Sequence, residues 1–271
     1  MKQVEYVECF TAGNPGPMTL GGTNQYLLGR DEITVIDVAL PTDENIRVLL
    51  ERAAARGGGK IEKILLTHIH KDHSGGALEL KKRSGAKLGL FASRRGFLGA
   101  EDFVFNDGET LAFDGGELKV VHTPGHESGH CCFLEPHDGL LFTGDHILGR
   151  GTTVVAPPDG DMALYLQSLE KLRDLDMEVI LPGHGPAIDD PHAKIEEYLS
   201  HRLARERQIL AEVEREARTI GAVTERIYAG IEPVLMPAAR RSVEAHLIKL
   251  EREGLVARDG DRYRSTRKRG R

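Results

Sequence analysis

Tryptophan is absent from this chain of 271 residues, aromatic residues make up only 5%, and there are three cysteines. The cysteines are Cys9 and the vicinal pair Cys131 and Cys132. So sparse and odd a set argues against a disulfide scaffold and fits a reducing compartment, so a cytoplasmic location is expected. Cys131-Cys132-Phe133-Leu134 is an apolar run, and the two thiols read as strand residues rather than metal ligands. No window approaches the ~20 apolar residues of a membrane span, so no membrane association is expected. Met1-Lys2-Gln3-Val4-Glu5 shows neither the apolar run nor the small-residue cleavage pattern of an export signal. The 40% apolar content supports a real core, and the length fits a main domain with an appendage.

The net charge of −6 is unevenly spread. From residue 201 onward there are 17 Lys and Arg against 11 Asp and Glu, whereas the first 200 residues carry 19 basic and 31 acidic groups. A basic C-terminal module that can face an anionic partner follows from that asymmetry; a salt-bridged helical surface with a solubilising tail explains it equally well.

Through residue 190 the chain alternates short apolar runs, Gly turns and helical stretches. Strands are expected at Gln25–Leu28, Ile33–Val38, Lys63–Thr67, Lys87–Phe91, Leu118–His122, Cys131–Leu134, Leu140–Thr143 and Glu178–Leu181. Helices are expected over Asp43–Arg56, Gly76–Arg83 and Met162–Leu175. After Asp189-Asp190-Pro191 the pattern becomes helical over His192–Arg218, with Ile195, Leu199, Leu203, Leu210 and Val213 as its apolar stripe. Two shorter helices follow, at Val223–Tyr228 and Met236–Gly254, and then a hairpin around Asp259-Gly260. The expected division is therefore residues 1–190 and 191–271, the latter a long helix with a winged-helix-like module.

The chemistry concentrates at Thr67-His68-Ile69-His70-Lys71-Asp72-His73, with His126 in Thr-Pro-Gly-His-Glu, Asp145 in Thr-Gly-Asp-His and His184 in Pro-Gly-His-Gly. Several of these groups directly follow an expected strand, which fixes their positions. His68 and His70, two apart, can turn toward one ion from an extended loop, and His126 completes a three-nitrogen set. Asp72, His73 and His184 form a second set, and Asp145 is left to bridge. Two divalent ions so held can lower the pKa of a shared water and deliver it as hydroxide. Asp72 and Asp145 are the catalytic candidates, Asp72 as a proton acceptor. Availability favours Zn²⁺, though Mn²⁺ or Fe suits the same ligands. A single Pro-Gly-His-Gly or Thr-Gly-Asp turn is most often only a turn; the four elements in this order make coincidence untenable. Of the other histidines, His122 reads as packed in a strand. His130 and His146 are candidates for supporting the ligands or touching substrate. His137, His192, His201 and His246 read as ordinary surface or helix residues.

The His68–His73 signature resembles that of the metallo-β-lactamase superfamily, with the resemblance covering about the first 190 residues. It implies a four-layer αβ/βα sandwich with a dinuclear site at one edge of two sheets. It also implies the same ligand division: His68, His70 and His126; Asp72, His73 and His184; Asp145 between them. An aspartate at the Asp145 position is absent from zinc β-lactamases, so the resemblance points to the branch shared by glyoxalase II and metal-dependent ribonucleases. Gly144-Asp145-His146-Ile147-Leu148-Gly149-Arg150-Gly151-Thr152-Thr153, Pro182-Gly183-His184-Gly185-Pro186, Tyr198-Leu199-Ser200-His201-Arg202 and the segment from His246 to Gly254 resemble the β-lactamase-like protein 2 family. His146 departs from the animal form of that family, where Cys is expected. The animal members resemble endoribonucleases specific for single-stranded RNA, and related fungal proteins act as thioesterases on polyketide carrier-protein products.

The first expectation is thus a phosphodiesterase on single-stranded RNA, with Arg240, Arg241, Lys249, Arg258, Arg262, Arg264 and Arg267-Lys268-Arg269 available to phosphates. Tyr228 and Tyr263 are the module's candidate stacking residues. The alternative is a thioesterase or other acyl hydrolase acting on a small (thio)ester, and a metal-sensing DNA-binding regulator is a distant third. The terminal module could also cover the site mouth or form a homodimer.

Overall fold

The computed structural model describes residues 4–267 and divides into two compact units. Lys268 and Arg269 of the basic tail lie outside the described residues. No helix among the described residues is long and apolar enough to cross a membrane.

The first unit comprises residues 4–123, 129–153 and 174–192. It holds a six-stranded sheet in the order β1 (Val7–Thr11), β2 (Asn24–Leu28), β3 (Glu32–Ile36), β4 (Lys60–Leu65), β5 (Lys87–Phe91) and β6 (Phe103–Phe105). Strands β3 to β6 run parallel, and β1 to β3 are antiparallel. A second sheet orders β11 (Val179–Pro182), β10 (Leu140–Gly144), β9 (Cys131–Glu135), β8 (Gly116–His122) and β7 (Thr110–Phe113). Side chains alternate across each strand, and this assigns neighbours to different cores. Tyr26 and Leu28 of β2 join Leu65, Val120, Phe133 and Phe142 between the sheets. Leu27, with Val35, Ile64 and Leu88, packs instead against Ile46 and Leu49 of α1 (Asp43–Ala55) and Leu80 of α3 (Ala77–Ser84). Thr42 caps α1 by accepting from the Asn45 amide, with Asp43 and Glu44 in the first turn against the helix dipole. Cys131 and Cys132 are buried in β9.

The second unit comprises residues 124–128, 154–173 and 193–267. Asp161 Oδ1 caps α4 (Met162–Arg173) by accepting from the Ala163 and Leu164 amides. The long helix α5 runs Pro191–Arg215 and stops short of its expected end, because Arg218–Thr219 instead forms β12, paired with β14 (Arg262–Ser265). Its buried stripe is Ile195, Tyr198, Leu199, Arg202, Ile209 and Val213, while Leu203, expected inside, is 45% exposed. Helices α6 (Ile220–Ile227) and α7 (Met236–Arg252) and the hairpin β13 (Val256–Asp259) and β14 (Arg262–Ser265) complete a winged helix around Val223, Val243, Leu247, Leu250 and Tyr263. His246 is a helix residue, as expected, but it lies on the inward face of α7, with its Nδ1 3.3 Å from Glu206 Oε2. Tyr263 is buried, and Tyr228 is half-buried with the guanidinium of Arg205 4.2 Å from its ring centroid, so one of its faces is already taken.

Candidate metal centre

Loops at the C-terminal ends of β4 and β10 and just beyond β11 carry every donor but His126, which follows β8. Apolar Ile64-Leu65-Leu66 locks β4 in the core and delivers Thr67 and His68. Asp72 and His73 then lie on a single helical turn, α2 (Lys71–Ser74), rather than in extended chain. Gly144, at φ 46°, turns the chain toward Asp145, and a Cβ there would stand 2.5 Å from Thr67 Oγ1, so only glycine fits. A Cβ on Gly183 would lie 2.6 Å from His73 Cε1, which explains glycine before His184. Asn24 Nδ2 donates to the carbonyls of Pro182 and Gly185, both at 2.9 Å, and pins the His184 turn to β2.

Two groups of donors among the described residues could each hold an ion: His68, His70 and His126, and Asp72, His73, Asp145 and His184, the ligand atoms of each group lying within 4.8 Å of one another. In the second group, Asp145 Oδ1 is 3.2 Å from both His73 Nε2 and His184 Nε2, and Asp72 Oδ2 is 3.3 Å from His184 Nε2.

Protonation is set from behind. His73 Nδ1 donates to Asp37 Oδ2 at 2.7 Å and His184 Nδ1 to the Gly22 carbonyl at 3.1 Å. His126 Nδ1 donates to the Val154 carbonyl at 2.7 Å. The Thr67 hydroxyl gives its proton to Asp37 Oδ2 and therefore accepts from His68 Nδ1, 3.0 Å away. In their neutral forms all four rings thus keep Nε2 as a lone pair, the tautomer a metal requires. Two such lone pairs and two carboxylate oxygens then face one another in the second group, an arrangement that repels until a cation sits among them. The donor set fits divalent ions of the zinc type.

The charges say the same. Burial works against a charged His73, yet the carboxylates of Asp145 and Asp37 outweigh it and raise its pKa well above the ordinary value. His184 is raised against burial by Asp72 and Asp145. Burial favours a neutral Asp72, but His184 and His73 hold its pKa below the usual carboxylate range. The pocket draws positive charge.

Asp37 escaped the sequence reading. It ends the run Glu32–Ile36 at φ 61°, buried, and accepts from the Thr67 amide and hydroxyl as well as from His73. The signal was a carboxylate at the C-terminal end of a parallel strand, where sites gather. His130 and His146 are both fully buried, which places them behind the ligands rather than against substrate. His130 Nε2 accepts the Asp145 amide at 3.3 Å while Thr123 Oγ1 lies 2.9 Å from its Nδ1. His122 stacks on Phe91, ring centroids 4.2 Å apart, as a packed residue.

Facing mixed sheets with histidine and aspartate donors at their strand ends define a metal-dependent hydrolase. The chain belongs to the metallo-β-lactamase superfamily, whose family model (Metallo-beta-lactamase superfamily) matches residues 18–184, while a Beta-lactamase associated winged helix domain matches residues 219–265. It is 38% identical over 249 residues to the beta-lactamase-like protein 2 homolog of Caenorhabditis elegans, covering 90% of this chain and 83% of that protein. An atrochrysone carboxyl ACP thioesterase of Aspergillus chevalieri is 32% identical over 259 residues, covering 91% of this chain and 81% of that protein. The crystal structure of a metallo-beta-lactamase family protein from Thermus thermophilus superposes with a TM-score of 0.81 at 26% identity, over 97% of this chain and 99% of that one.

Proposed function

We propose that the chain is a dinuclear metal-dependent phosphodiesterase that cleaves single-stranded RNA in the cytoplasm. In this reading His68, His70 and His126 hold one ion, Asp72, His73 and His184 hold the other, and Asp145 bridges. Bound there, two divalent ions, Zn²⁺ by availability, supply a nucleophile ionised near neutral pH and polarise the scissile group. The protein's own part is positional. Asp37, Gly22, Val154 and Thr67 fix the imidazoles by their Nδ1 protons, and His130 holds the Asp145 backbone. Asp72, half-buried and kept ionised by His184 and His73, can accept a proton.

The observation that carries the reading is Asp145 Oδ1 at 3.2 Å from both His73 and His184, which supports its sharing the second ion and leaves its other oxygen for the first. RNA as substrate is supported by the exposed Arg240, Arg258, Arg262 and Arg264 of the winged helix. Thioester hydrolysis is the second reading, favoured by the likeness to a carrier-protein thioesterase. Metal-loaded protein is assayed on a loop-containing RNA and on acyl thioesters beside Asp145→Asn. RNA cleavage lost in the variant supports the proposal; thioester turnover with intact RNA sinks it.

A further inference from the structure

Single-stranded RNA is gripped by stacking as much as by charge, and the winged helix offers no exposed aromatic ring among the described residues. We infer that Phe97, with Arg95 beside it, is the platform on which a nucleobase of the RNA substrate stacks, next to the metal centre. The inference rests on the RNA reading given above.

Phe97 is 58% exposed on the segment that follows β5. A singly exposed hydrophobe is ordinary on a protein surface; its position and surroundings set this one apart. Strand β5 is parallel to β4, so residues 92–101 leave the sheet at the edge where Thr67 and His68 leave it. Ligands of such sheets bind outside the carboxyl ends of the strands. The base of the segment is tied to the centre: a Cβ on Gly129 would lie 2.5 Å from Arg94 Cγ, and the next residue, His130, holds the Asp145 amide.

The segment is also built to hold its shape. The Glu101 carboxylate accepts from the amides of Gly96 and Ala100, and Phe97 N–H donates to the Arg94 carbonyl at 3.0 Å. Lys81 Nζ donates to the Ala100 carbonyl and to Asp102, both at 2.6 Å. A turn this anchored presents its side chains with little entropy left to lose on binding. Arg95 is exposed and has no ion-pair partner among the described residues, whereas Glu101 is engaged with the backbone. A ring face beside a free guanidinium matches a base and its phosphate; an acyl chain would use the ring and leave the cation idle.

The test uses the full-length, metal-loaded chain and a single-stranded oligoribonucleotide carrying one abasic ribose, moved position by position. At one position the abasic substitution should lower kcat/KM of the wild type about 5- to 150-fold, the range seen when base-stacking aromatics are removed. At that position it should cost Phe97→Ala and Phe97→Leu nothing further, while Phe97→Tyr behaves as wild type. Arg95→Gln, in an Asp145→Asn background, should flatten the salt dependence of binding by about 0.7 in the log–log slope, one phosphate contact on a single strand. Additive losses at every position overturn the inference while leaving RNA cleavage intact. So does Phe97→Leu behaving as wild type, which would reduce the contact to apolar surface. Hydrolysis of thioesters alone by the wild type overturns the RNA reading and this inference together.

Discussion

Asp37→Asn isolates the layer behind the metal ligands. Asp37 is buried and accepts three hydrogen bonds, from the Thr67 amide and hydroxyl at 2.8 Å each and from His73 Nδ1 at 2.7 Å. Asparagine keeps one acceptor oxygen and brings two donors. With that oxygen on the Thr67 amide, its NH₂ meets the His73 Nδ1 proton head-on. His73 relieves the clash by moving its proton to Nε2, the atom the metal needs. Losing a charge-assisted bond costs about 1.5–3 kcal/mol, and disturbing such an outer partner typically lowers metal affinity about 10- to 100-fold. A chelator competition resolving two ions should therefore show the ion held by His73 weakened by that factor. The His68 ion should weaken as well, since the Thr67 hydroxyl loses the Oδ2 to which it donates and turns its proton toward His68 Nδ1. Two affinities within twofold of wild type would refute the idea that Asp37 sets the His73 tautomer.

Gly144→Ala forces a Cβ to 2.5 Å from Thr67 Oγ1 in a left-handed turn, so thermal unfolding should show about 1–3 kcal/mol of destabilisation together with loss of hydrolysis. Arg264→Glu, exposed on the wing, should weaken RNA binding and reduce its salt dependence, with thioester turnover unaffected; unchanged RNA affinity would make the module a purely structural appendage. Burial pushes Glu206 up, but His246 and Lys249 outweigh it and lower its pKa. A depressed carboxylate stabilises the fold above its unfolded value, about 4.3, and that stability is lost as pH falls through the folded value. Glu206→Gln should hence lower the melting temperature at neutral pH and lose less than wild type on acidification below about pH 4; parallel acid profiles would contradict this.

Much of the centre was legible because its donors sit in short, dense motifs whose spacing serves chemistry rather than packing. Hydrophobic runs such as Ile33–Ile36 and Leu140–Phe142 likewise announced buried strands. Other features depend on partners far away in sequence. Asp37 reads as an unremarkable strand end until Thr67 and His73 fold against it. Strand β1, Val7–Thr11, was missed because Glu8 and Cys9 dilute its apolar pattern; pairing with β2 makes it a strand. The α5 stripe was misplaced by one position, toward Leu203 and away from Ile209, because the buried Arg202 occupies an interior place that hydrophobicity alone gives to leucine. Its guanidinium lies 5.2 Å from the centroid of the Tyr165 ring. Tyr263 looked like a surface aromatic for the same reason in reverse: only the hairpin register turns it inward beside Val256.

Elemental analysis of the purified chain, with protein concentration measured independently, tests the two-ion centre most directly. Two divalent ions per chain are expected, falling to one in His126→Ala, where Asp72, His73, Asp145 and His184 remain. A single ion in the wild type, unchanged by that substitution, would contradict a dinuclear centre.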